Sequence, residues 1–234
     1  MYFDITYIIL VLPAVIFSLW ASAKVNGTYR KYKNLGTSSG MTGAQAARLI
    51  LDRNGLRNVR IMKIDGQLTD HYDPRNRTIS LSQDIHDGSS AVAVGIAAHE
   101  VGHAIQHAES YTPLKIRNAI IPVTSIGSQL SIPLVLLGLF LSRVSQDFIL
   151  LAYGGIALFG LVVVFQLLTL PTEFNASSRA LAKIGEYGIL REDETKPVKK
   201  VLSAAAMTYV AALAVSLVQL LRLLLIVSGG RRRS

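Results

Sequence analysis

The sequence contains no cysteine. That excludes disulfides and thiolate metal sites, so any bound metal must be held by His, Asp or Glu. Charge is also scarce: 17% of the residues are charged, against about 25% in soluble domains. Acidic residues are the scarcer sign, 15 against 24 basic, which leaves a net charge of +9. In a chain with long uncharged runs, a basic excess points to the positive-inside bias and to anionic lipid. No nucleic-acid-binding motif is present, so nucleic acid is not an expected partner. Internal repeats and low-complexity tracts are absent as well.

What is present is apolar. Residues 5–23, ITYIILVLPAVIFSLWASA, carry no charge and are long enough to cross a bilayer as one helix. A cleaved signal peptide fits less well, because Asp4 precedes the run and Lys24 follows it directly. Residues 118–142 and 148–170 are two further uncharged runs, separated only by RVSQD, and read as a tight transmembrane hairpin. Pro122 and Pro133 lie within its first arm, where a membrane helix tolerates them. A fourth run, 201–228, is interrupted only by Arg222. It reads as one long helix that crosses fully, with Arg222 needing a polar partner and Arg231–Arg233 ending outside. Segments 24–117 and 173–200 hold 19 of the 24 basic residues, which places both in the cytoplasm.

Between the first two runs lies a segment patterned like a folded domain. TGAQAARLILDRNG predicts a helix with Thr42 as N-cap and Gly55 as stop. NVRIMKID alternates like a strand, and QLTDHY and RTISLS predict two more across the turn DPRN. SSAVAVGIAAHEVGHAIQHA predicts a helix capped by Ser89 or Ser90.

That last helix carries the chemistry. His99 and His103 are four residues apart, so both rings point from one helical face and can meet one metal ion. Glu100 is turned about 100° from His99, flanking the site without ligating it, where it can take a proton from water activated by the metal. The surrounding Ala97, Ala98, Val101, Gly102, Ala104 and Ile105 make a dry helix. Two imidazoles and a carboxylate are costly there unless they bind something.

A catalytic zinc normally has three protein ligands. His107 lies about 12 Å along the axis from His99, too far for a shared ion. A sharp bend after the motif would need glycine where Gln106 stands, which leaves Glu109 as a minor candidate. Glu173, in LPTEFNASSRALAKIGEYG, is the stronger one. Pro171 suits a helix start, Thr172–Gly185 keep helix propensity and Gly188 suits a stop. A membrane hairpin returns the chain to the level it left, so Glu173 can approach the His99–His103 helix without a long loop. The bland alternative is an acidic residue favouring a helix N-terminus.

HEVGHAIQH, a hydrophobic hairpin, PTEFNASSRA and VLSAAAMTYVAAL together resemble the YugP-like neutral zinc metallopeptidases of bacterial membranes over nearly the whole chain. More distantly, the layout is similar to the HtpX and Ste24 membrane peptidases. The resemblance implies a gluzincin arrangement: His99, His103 and Glu173 on one Zn²⁺ per chain, and Glu100 as general base. Where the HtpX pattern has an Asp four residues after the ligand Glu, this chain has Ser177, which offers a hydrogen bond but no charge. His71, Tyr72, Arg179 and Tyr209 are candidates for stabilising the transition state. An extended substrate is expected to pair with the strand at residues 77–82.

The expected architecture is therefore an α+β membrane protein, with a zincin-like catalytic domain and a small β-sheet on about four transmembrane helices. Residues 1–24 form an anchor, 25–117 the first part of the catalytic domain, 118–170 the hairpin, 171–200 the second catalytic part, and 201–234 the last helix and basic tail. The expected activity is hydrolysis of polypeptides at the cytoplasmic face of a bacterial cell membrane. Two rivals remain. A site-2-type intramembrane protease needs a downstream Asp-Gly ligand motif, and the only such pairs, Asp65-Gly66 and Asp87-Gly88, lie upstream. A non-catalytic scaffold with structural zinc needs a fourth protein ligand.

Overall fold

Local signals set the starts of two helices in the folded segment. Thr42 opens α2 (Gly43–Arg53) with a capping box: its hydroxyl accepts from the Gln45 N–H, and the Gln45 side chain accepts from the Thr42 N–H. Ser90 caps α4 (Ala91–Ala108) by accepting from the Ala93 N–H at 3.1 Å. The structure, a computed structural model, describes residues 5–230. The expectations for Asp4 and Arg231–Arg233 lie outside that range.

Two compact units result. The first gathers residues up to Ala21, Ile116–Leu170 and the chain from Thr208; the second gathers Ser22–Lys115 and Pro171–Met207.

In the second unit, three strands form one sheet: β1 (Arg60–Ile64), β2 (His71–Asp73) and β3 (Thr78–Ser82). β2 and β3 form the expected hairpin, although β2 is shorter than the QLTDHY run. The sheet order is β1-β3-β2, and β1 runs parallel to β3. This corrects one expectation: β3 is paired with β1 along Thr78–Ser82 and with β2 along Thr78–Ser80, so it offers an extended substrate no free edge over Thr78–Ser80. All five β3 residues are buried, although the alternation in TISLS suggests one wet face. Its two middle serine and leucine positions are covered together with Ile79, and Ser82 finds a partner by donating from N and Oγ to Asp70. A one-turn helix, α3 (Gln83–His86), follows. Ile50 and Leu51 of α2, Ile79 and Leu81 of β3, and Val94, Ala97 and Val101 of α4 share one core with Ile184 and Val198.

The first unit is built from helices α1 (Leu12–Tyr32, preceded by a π-helical turn at Tyr7–Val11), α5 (Thr112–Leu141), α6 (Ile149–Glu186) and α7 (Glu192–Gly230), in the parts that fall within it. Four helices among the described residues are long and apolar enough to cross a membrane. The most apolar stretch of α6 is only 22% buried, and Leu136, Phe140 and Leu150 are exposed. Leucines on that scale suit lipid, not water. Where α5 and α6 meet, glycine allows the backbones to approach: a Cβ on Gly138 would collide with Ala152, and one on Gly155 with the Ser131 carbonyl. Arg222 of α7 has an aromatic partner, its guanidinium lying 5.2 Å from the Tyr7 ring centroid.

Pro171 does not start a helix. It lies inside α6, which runs unbroken for 38 residues. One missing N–H removes a single rung of the ladder, and the long flanking helix carries the chain across the gap. Glu173 is therefore a mid-helix residue, and attraction to a helix N-terminus cannot explain it.

Candidate metal centre

The site is assembled by α4 and the second-unit part of α6. They approach closely at Gly102, where an added Cβ would lie 2.6 Å from the Ala176 carbonyl oxygen. Alanine at this position gains helix propensity worth about 0.5–1 kcal/mol but meets backbone, which cannot rotate away. Overpacking of that kind costs about 1–3 kcal/mol and should win. Gly102→Ala is thus expected to lower the thermal unfolding midpoint. Gly95→Ala, whose Cβ first meets the Val198 side chain and not backbone, is expected to lower it less. Equal midpoints for the two variants would show that this approach is not tight.

One turn before Ala176, Glu173 is 4% exposed. Its Oε2 lies 3.3 Å from His99 Nε2 and 3.4 Å from His103 Nε2. The ligand atoms of the three residues all lie within 4.8 Å of one another. An ion bonded to N and O donors at about 2.0–2.1 Å with tetrahedral angles holds neighbouring donors about 3.3–3.4 Å apart, so the two histidine–Glu173 spacings fit zinc. The donor set of two imidazoles and one carboxylate fits it too. The imidazoles stand edge to face, with centroids 4.8 Å apart and planes at 87°.

Glu100 is 7% exposed beside this cluster. Burial pushes its carboxyl up from the ordinary range; the His99 and His103 charges pull it down, and Glu173 and Asp70 add to the rise. Burial alone would push the His103 imidazole down, but its bond to Glu173 and the charges of Glu100 and Glu173 outweigh it and hold it up. The two carboxylates thus create a negative potential that favours a cation in the cluster.

The other ring nitrogens are held from behind. His99 Nδ1 lies 3.1 Å from Ser177 Oγ. His103 Nδ1 lies 3.0 Å from Gln106 Oε1. From the sequence alone Gln106 is notable only for standing where a bend would need glycine. Its spacing of three from His103, on one face of a dry helix, was the available signal.

The remaining candidates are not among the clustered donors and have partners of their own. Arg179 pairs with Glu109 at 2.7 Å and donates from Nε to Asn175 Oδ1 at 2.7 Å. Glu109 therefore faces Arg179, outside the donor cluster. Tyr72 bonds through its hydroxyl to His107 Nδ1 at 2.8 Å. His71 is exposed, with Nδ1 2.8 Å from the Thr69 carbonyl. Tyr209 falls in the first unit, on α7.

Comparison with known proteins adds three findings. Residues 7–228 match the family model described as "Putative neutral zinc metallopeptidase". The chain is 48% identical over 225 residues to "Putative membrane protease YugP" of Bacillus subtilis (strain 168), covering 96% of this chain and 98% of that protein. No solved structure matches the chain.

Proposed function

Since this chain belongs to the neutral zinc metallopeptidase family, we propose that it is a membrane-bound zinc endopeptidase of gluzincin type, cleaving polypeptides at the cytoplasmic face of a bacterial cell membrane. The observation that carries this reading is the single Glu173 oxygen flanked by the Nε2 atoms of His99 and His103, with the buried Glu100 carboxyl beside them. His99, His103 and Glu173 would hold one zinc ion per chain. Zinc there would polarise the scissile carbonyl and make water acidic enough to attack near neutral pH.

The chain's own groups do the rest. Glu100 accepts the proton of the attacking water and returns it to the leaving amine, a task suited to a carboxyl raised by burial. Ser177 holds the His99 ring from behind. Tyr72 is the candidate donor for the developing oxyanion. Its hydroxyl bonds to His107, one turn along α4 from His103, whereas Arg179 is committed to Glu109 and Asn175. Three protein donors leave a coordination position for substrate, which separates this reading from a structural zinc. The Asp-Gly pairs at 65–66 and 87–88 are not part of the donor cluster, which weighs against the site-2 reading.

The direct test is zinc content and casein proteolysis of the purified full-length protein, before and after chelation and after zinc is restored. Activity that survives chelation, or a preparation without zinc, would remove the reading. The orientation has its own test. Reporter fusions at Gly36 and Gly188 are both expected to read as cytoplasmic, because their segments hold most of the basic residues and supply the same donor cluster. Opposite readouts would take Glu173 out of the site.

A further inference from the structure

The metal site proposed above requires His103 to present an unprotonated Nε2, and the residues behind His103 explain how it does so. Gln106 is fully buried, at 0% exposure. Its Oε1 lies 3.0 Å from His103 Nδ1. Its Nε2 donates to the Thr172 carbonyl at 2.8 Å and to Asn175 Oδ1 at 2.9 Å. Asn175 Oδ1 also accepts from Arg179 Nε at 2.7 Å, and Arg179 Nη2 pairs with Glu109 Oε2 at 2.7 Å.

The polarity of this chain of bonds is determined at two points, the Arg179 guanidinium at its outer end and the Thr172 backbone carbonyl. A guanidinium has only donors and keeps its charge in proteins. The Asn175 atom that faces it must therefore be the oxygen. That oxygen and the Thr172 carbonyl are both acceptors, so Gln106 must turn its NH₂ towards them. Only the Gln106 oxygen is then left for His103, and a ring nitrogen facing a carbonyl oxygen must carry the proton. The His103 proton is held on Nδ1, so a metal ion shared with Glu173 Oε2, 3.4 Å from His103 Nε2, would meet the Nε2 lone pair. Inverting any one link would place two donors or two acceptors face to face in a buried site, where unmet groups are costly. His99 differs: its partner is the Ser177 hydroxyl, which both donates and accepts and so imposes no tautomer.

We propose that Arg179, Asn175 and Gln106 are positioning residues that set the tautomer of His103 for metal binding through Nε2. The Gln106 amide has a second effect. Thr172 precedes Glu173, so the bond to its carbonyl ties α4 to the turn of α6 that carries the third donor.

The test uses the full-length protein in detergent, with Zn²⁺ and Co²⁺ affinities measured by chelator competition and the Co²⁺ absorption spectrum recorded. Asn175→Asp keeps an acceptor facing both Arg179 and Gln106, while Asn175→Leu removes it at similar size. Asn175→Asp is expected to stay within about threefold of wild type, whereas Asn175→Leu and Gln106→Leu weaken both metals by about 10- to 100-fold. Arg179→Met leaves Gln106 and Asn175 in place but removes the group that orients Asn175 and, through it, one of the two acceptors facing Gln106, and it too is expected to lose affinity and alter the Co²⁺ spectrum. If Asn175→Leu fails to fold, Arg179→Met carries the comparison. Wild-type affinity in Arg179→Met, or equal losses in Asn175→Asp and Asn175→Leu, would overturn the proposal. A wild-type protein that binds neither metal would overturn the metal site itself, which distinguishes the two failures.

Discussion

Glu100→Gln is expected to abolish peptide hydrolysis while zinc remains bound. Glutamine fills the same space beside the cluster but has no basic oxygen to accept a proton. The three donors come from His99, His103 and Glu173, so removing the Glu100 charge takes no ligand away. Glu100 stays 7% exposed and close to the donors because α4 turns it only one residue on from His99. Loss of a general base costs at least about 10²-fold in rate. The measurement is casein-type proteolysis beside zinc content on the same preparation. Activity within a few fold of wild type would end the general-base role; loss of zinc together with activity would make Glu100 a ligand instead.

Glu173→Ala is expected to strip the site of metal, and by far more than Glu109→Ala or His107→Ala. Glu173 Oε2 is the atom shared by both histidines, at 3.3 and 3.4 Å. Losing an outer hydrogen-bond partner weakens metal binding by about 10–100-fold, and losing a ligand should exceed that. Glu109, by contrast, makes an ion pair with Arg179 while its own side chain is 56% exposed. Such exposed pairs contribute about 0–1 kcal/mol. His107 is engaged with the Tyr72 hydroxyl. Equilibrium dialysis with zinc on the three variants orders them, and metal content that followed Glu109 would replace the gluzincin reading with another.

These two variants depend on contacts of very different range, and the difference explains what could be read in advance. His99, Glu100 and His103 share one helix, so the 3.6-residue period alone places two rings on one face and the carboxylate beside them. The caps at Thr42 and Ser90 and the stops at Gly55 and Gly188 are equally local; both glycines adopt the positive φ that favours glycine, 73° and 62°. The four apolar helices follow from composition over windows of about 20 residues. For each of these, the deciding interaction lies within a turn or a run of the chain.

The rest turns on distant partners. Glu173 and Glu109 were both open as a third donor, and only the packing of Gly102 against the Ala176 backbone brings Glu173 between the histidines. Strand pairing was hidden for the same reason: period-2 alternation identifies strands but not neighbours, so β3 looked available to a substrate when β1 and β2 already flank it. Pro171 looked like a helix start because local propensity ends a helix there, yet a 38-residue helix runs through it. Gln106 carried little signal because its partners Thr172 and Asn175 lie 66 and 69 residues away. The sequence by itself determined the caps at Thr42 and Ser90, the apolar runs and the shared face of His99 and His103, because neighbours along the chain settle those. The tertiary structure alone decided which carboxylate meets that face, which strand is enclosed and which way the Gln106 amide turns, because each depends on groups that meet only when the chain has folded.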